Sequence, residues 1–129
     1  MQAAVMVGQR QRGRRAHARG VTAEAAAGAA LEHDGWVVLA RRLRTEAGEV
    51  DLLAERAGVL AIVEVKARPS LADAAAAVSQ RQRARLMAAA EIILADHPEW
   101  GLAGVRFDVL VVDAAGRVRR IADAFRLGD

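Results

Sequence analysis

The chain has 129 residues, 53% of them apolar and only 3% aromatic, with a formal net charge of +3 and no cysteine. That length suits one domain better than two, and the missing thiols exclude disulfides, cysteine nucleophiles and zinc–thiolate sites. No apolar run approaches the ~18–20 residues needed to span a bilayer. The opening "MQAAVMVGQRQRGRR" places its apolar residues before its charges, the reverse of a secretory signal, so a cytoplasmic protein is expected.

Residues 1–20 read as a flexible basic N-terminal arm, and 21–129 as a single domain. Before Glu24 there is no acid, while Arg10, Arg12, Arg14, Arg15 and Arg19 supply five positive charges. Such an arm either adds salt-sensitive attraction to phosphates or is a solvated leader without a partner. "VTAEAAAGAALEHDG" then reads as a helix, with Thr22 able to cap its start and Gly35 following its end. Positions 24, 27, 28 and 31 share one face at helical spacing. Ala27, Gly28 and Leu31 make that face small and apolar, so Glu24 on it needs a partner; Gly28 fits close helix–sheet packing.

"WVVLARRLR", "GEVDLLAE" and "VLAIVEVKA" read as three strands, the last two joined by a turn at Ala57–Gly58. After Pro69, "LADAAAAVSQRQRARLMAAAEIILADHP" reads as one long helix ending before Pro98. "VRFDVLVV" and "GRVRRIADAF" give a fourth and a fifth strand, with a terminal turn beyond. Helix, three strands, helix, two strands predicts an α/β fold: a central mixed sheet flanked by helices.

The second and third strands carry the chemistry. Glu64 and Lys66, two residues apart, share a face, while Val63 and Val65 point the other way. A two-residue turn would set Asp51 directly opposite Glu64, with Cβ atoms roughly 4.5–5.5 Å apart. A three-residue loop would set it opposite Val63 instead. Two carboxylates that close need a shared proton or a divalent cation between them, and hard ions such as Mg²⁺ take carboxylate oxygens while keeping waters. Lys66 is the only lysine, against 18 arginines, and an ammonium beside such a site can hold a water or a phosphate. The plainer reading of Glu64 and Lys66 is a structural ion pair.

An acid on a first helix, an Asp on a strand and Glu-x-Lys on the next strand resembles the PD-(D/E)XK nuclease arrangement. "GVTAEAAAGAALEHDGWVVLARRLRTEAGEVDLLAERAGVLAIVEVKAR", with the later "RFDV" and "IADAF", is similar to the small bacterial YraN-like family, grouped with Holliday-junction resolvase-like endonucleases. The similarity spans roughly residues 20–126 and is most specific at "GEVDLL" and "VEVKAR". It implies a restriction-endonuclease-like core and metal-dependent endonuclease action on DNA, branched or single-stranded. By position, Asp51, Glu64 and the Val65 carbonyl would bind Mg²⁺ or Mn²⁺. Glu24 would complete the site or act through water, and Lys66 would orient or deprotonate the attacking water. A homodimer is implied by resolvases, which cut two strands. The competing expectation is a non-catalytic nucleic-acid-binding or partner-docking module that keeps the fold.

Arg41, Arg42, Arg44, Arg68, Arg81, Arg83 and the arm are candidate phosphate contacts; the run Gln80, Arg81, Gln82, Arg83 reads first as a solvated, phosphate-facing surface, with contact of Gln80 or Gln82 to the site as the alternative. His17, His33 and His97 show no metal-ligand spacing. Ser70 and Ser79 have no nucleophile logic around them. Asp108 and Arg106 read as a structural ion pair, and Trp36 and Trp100 as core or edge packing.

Overall fold

A computed structural model describes residues 22–71 and 78–125, the last four of these by backbone alone. Helix α1 covers residues 22–33 and presents Ala23, Ala27 and Leu31 to the interior, one residue per turn. It ends as the glycine foresees. Gly35 sits at φ 88°, its amide donates to the Glu32 carbonyl, and the Trp36 amide donates to the Leu31 carbonyl, 3.0 Å each. This pattern satisfies carbonyls that a helix end leaves open.

Five strands follow: β1 (Val37–Thr45), β2 (Gly48–Arg56), β3 (Val59–Ala67), β4 (Gly104–Val112) and β5 (Val118–Phe125). They form one sheet in the order β1-β2-β3-β4-β5, with β3 and β4 parallel and the other neighbours antiparallel. Helix α2 (Gln80–Asp96) lies in the chain between the two parallel strands, whose ends only a long connection can join.

The sheet is buried on both faces. Leu52, Ala54, Ala61, Val63 and Leu110 pack with α1 and Trp36. Leu53, Leu60, Ile62 and Phe107 pack on the other side with Leu86, Ala89, Ala90 and Ile93 of α2. Each fully buried Leu or Ile stabilises the fold by about 2 kcal/mol relative to exposure. The mixed sheet between two helices is an α/β fold consistent with a restriction-endonuclease-like core.

One expectation changes. The sequence reading ran one helix from Leu71, whereas the described helix starts at Gln80. Ser79 is its N-cap: its hydroxyl accepts from the Gln82 amide, and the Gln82 side chain accepts from the Ser79 amide. This reciprocal cap fixes the start that an Ala-rich pattern conceals. It also spends Gln82 on the helix end, so that side chain is not free for the site. Gly28 of α1 does pack closely on the sheet, as expected. A Cβ there would lie 2.5 Å from the guanidinium of Arg41 on β1, so the glycine lets the helix lie close to that strand's side chain. The basic arm at 1–20, with His17, and the terminal turn beyond β5 lie outside the described residues.

Candidate active site

The β2–β3 turn is the two-residue kind. Arg56 pairs with Val59, and Ala57 and Gly58 take φ of 51° and 79°, as a hairpin turn matched to strand twist demands. The pairing then runs to Leu52 opposite Val63 and stops. Asp51 and Glu64 continue the same register but are not themselves a ladder pair. The Asp51 side chain replaces the backbone there: its Oδ2 accepts the Val65 amide at 2.7 Å.

Strand β2 is irregular at this point. Val50 and Leu53 belong to the same core cluster, although strict alternation would send them to opposite faces. Across from Asp51, Arg42 of β1 has φ 53°, a left-handed conformation that costs a non-glycine residue on the order of 1 kcal/mol. The bend turns the carboxylate of Asp51 across to the backbone joining Glu64 to Lys66. A residue of an extended strand directs its N–H and C=O to the same edge, so the Val65 carbonyl faces the Asp51 side as well.

Glu64 is buried, at 7% exposure. Its Oε2 carries two cations, Lys66 Nζ at 3.2 Å and an Arg85 guanidinium nitrogen at 3.5 Å. Lys66 therefore shares the face of Glu64, as their spacing requires, while Val63 and Val65 pack toward α1. Arg85 comes from α2, and the sequence reading missed it. Only the position of α2 over the sheet brings it here.

Glu24 is half-buried and lies 4.0 Å from Arg42, which also approaches Glu49 at 3.8 Å. The partner that its place on an apolar face required is thus Arg42 of β1. Burial pushes the carboxyl of Asp51 up to about 6; the Val65 amide opposes the shift, and the charges of Glu64, Glu24 and Glu49 reinforce it. These acids therefore act on one another electrostatically around Asp51.

Among the described residues, no group of three or more His, Cys, Asp or Glu side chains could hold a metal ion by itself. What is present is sparser: the carboxylates of Asp51 and Glu64 with the Val65 carbonyl. Hard oxygen donors in that number fit Mg²⁺, which keeps several waters and uses one or two carboxylates.

The other expected contacts divide. Arg41 lies against Gly28, and Arg44 is extended toward Glu49 at 3.8 Å with most of its side chain in solvent. Arg68 donates to its neighbour's carbonyl at Ala67. Gln80 and Arg81 are exposed in the first turn of α2, and Arg83 there is half-buried. His97 caps the end of α2 and stacks on Trp100 at 3.9 Å; its remaining close partner is Glu99. Asp108 pairs with Arg106 at 3.0 Å as expected, and also with Arg120, while Arg56, Arg106 and Arg120 surround the buried Trp36 ring. Both aromatic assignments to packing therefore hold.

The fold is an α/β one, and Asp51 and Glu64 lie just past the end of the β2–β3 ladder. Residues 23–112 match the family described as "Uncharacterised protein family UPF0102". The chain belongs to this family, the YraN-like one. It is 63% identical over 118 residues to a UPF0102 protein of Granulibacter bethesdensis, covering 92% of this chain and 75% of that one. A UPF0102 protein of Azorhizobium caulinodans is 49% identical over 118 residues, covering 92% and 90%. One of Acidiphilium cryptum is 49% identical over 116 residues, covering 90% of each. Among the described residues no helix is long and apolar enough to cross a membrane.

Proposed function

We propose that this protein is a metal-dependent endonuclease that hydrolyses phosphodiester bonds in branched or single-stranded DNA in the cytoplasm, working as a homodimer. The observation that carries the reading is the 2.7 Å hydrogen bond from the Val65 amide to Asp51. It ties Asp51 of β2 to the backbone between Glu64 and Lys66 of β3, which supports a common site for the three side chains.

Asp51, Glu64 and the Val65 carbonyl would hold Mg²⁺ or Mn²⁺, with Glu24 reaching it through water. When bound, the ion supplies Lewis-acid stabilisation of a phosphoryl oxygen and a more acidic water. Lys66, mostly buried beside Glu64, would orient the attacking water or take its proton. The water oxygen bonds to phosphorus, the opposite P–O ester bond breaks, and the departing oxygen gains a proton. Arg41, Arg44, Arg68, Gln80, Arg81 and Arg83 would touch the backbone phosphates, which positions DNA without reading its sequence. Arg42 holds Glu24 and Glu49 in the free protein and would join them once DNA is bound.

The test is cleavage of junction, flap and single-stranded DNA in Mg²⁺ or Mn²⁺, with Asp51→Asn and Lys66→Ala in parallel. Metal-dependent cutting lost in both variants supports the enzyme. Salt-sensitive binding without cutting, indifferent to either substitution, supports a non-catalytic nucleic-acid-binding module instead.

A further inference from the structure

We infer that Arg85 stands in for the cation at Glu64 in the free protein and contacts a substrate phosphate once a divalent ion takes that carboxylate. This rests on the nuclease reading above and names a residue that reading does not use.

Four observations carry it. Arg85 and Lys66 approach the same oxygen of Glu64, at 3.5 and 3.2 Å. The two cations share one carboxylate oxygen, so neither has Glu64 to itself. Lys66 is fixed by its strand two residues away, whereas Arg85 arrives on a long side chain from α2 with 35% of it exposed. Its hydrogen bond from Nη1 to the Glu49 carbonyl is long, at 3.4 Å.

The path of that side chain is also built. A Cβ on Gly48 would lie 2.9 Å from Arg85 Cδ and 3.1 Å from Cγ. The stem therefore lies on a glycine, at φ 138°, which keeps the strand's surface low beneath it. The helix end is held by the Ser79–Gln82 cap, and the neighbouring Leu86 is anchored in the core. The root of Arg85 is thus anchored, and its side chain is partly exposed.

A guanidinium has five donors in a planar fork that matches two phosphate oxygens, and it does not lose its charge. A divalent ion on Asp51 and Glu64 would repel it. The nearest anion then available is the substrate's phosphodiester, brought to the same ion. Arg85 thus balances the acidic site when empty and the phosphate when it is filled.

The experiment compares full-length wild type with Arg85→Gln and Arg85→Lys, with Glu64→Gln as reference. Mn²⁺ alone is titrated by calorimetry, and DNA binding is measured in Ca²⁺ to suppress cutting. Arg85→Gln, which keeps the stem on Gly48, is expected to bind Mn²⁺ about three- to tenfold more tightly, because no guanidinium must be displaced. It is expected to bind DNA about tenfold more weakly. Arg85→Lys should keep near wild-type Mn²⁺ affinity yet lose several-fold in DNA affinity, since a point charge cannot grip two oxygens at once. Unchanged or weaker Mn²⁺ binding in Arg85→Gln, with wild type binding normally and Glu64→Gln not, overturns this inference and leaves the nuclease reading intact. Full DNA affinity in Arg85→Lys overturns the phosphate contact. No Mn²⁺ binding to wild type, or binding indifferent to Glu64→Gln, overturns both.

Discussion

At the scale of single residues, Asp51 holds the most information. Its carboxyl is raised from an ordinary 3.8 to about 6, first by burial. The native state therefore binds this proton more tightly than the unfolded chain does. Stability from this group is full below about pH 4 and is lost as pH rises through about 6. Asp51→Asn keeps an oxygen for the Val65 amide and removes the charge. We expect it to raise stability at pH 7.5 without metal by on the order of 1–2 kcal/mol, allowing for partial solvent access, or roughly 2–6 °C in Tm. At pH 4 the gain should vanish. Thermal melts at both pH values in a chelator decide the matter, because a purely structural ion-pair cluster predicts a loss at pH 7.5. Lys66→Ala should leave Glu64 with Arg85, so the fold should tolerate it while cleavage falls by about 10²–10⁴. A cleavage rate within threefold of wild type would remove Lys66 from the reaction. Much of this was readable in the chain: a spacing of two put Glu64 and Lys66 on one face, and a lone lysine among arginines marked the place. Arg85 was not readable, because its contact with Glu64 depends on where α2 lies and on Gly48 giving it passage.

At the scale of elements, the strands follow from β-branched runs and turn residues, and the β2–β3 register follows from Ala57–Gly58. What alternation could not give is the bend at Asp51, which comes from the left-handed Arg42 opposite and from the side chain taking a backbone amide. The start of α2 was obscured because alanines favour helix on either side of Ser79. Ser79→Ala should cost about 1 kcal/mol, visible as faster amide exchange in the first turn of α2. Unaltered exchange there would mean that the cap contributes nothing. In the core, Leu52 is fully buried beneath α1 while Val37 is 62% exposed on the edge strand. Leu52→Ala should cost about 2–5 kcal/mol by chemical denaturation, against less than about 0.5 for Val37→Ser. Similar costs at both positions would contradict the two-faced packing.

At the scale of the whole molecule, the site sits where two buried strands part, so hydrophobic faces on both sides fix carboxylates that repel one another. The fold class was legible because the order of elements allows few arrangements. The electrostatic balance was not, since Arg42 and Arg85 reach the acids across elements distant in sequence. If the protein works on DNA, replacing the five arginines before Glu24 with glutamine should lower the steepness of log K against log salt by up to about 4. An unchanged slope in filter binding would exclude the arm from the interface. The most direct test of the central claim is an anomalous-difference map from crystals grown with Mn²⁺. We predict one strong peak within about 2–2.5 Å of carboxylate oxygens of both Asp51 and Glu64. A map with no peak between those two side chains, at millimolar Mn²⁺, would contradict it.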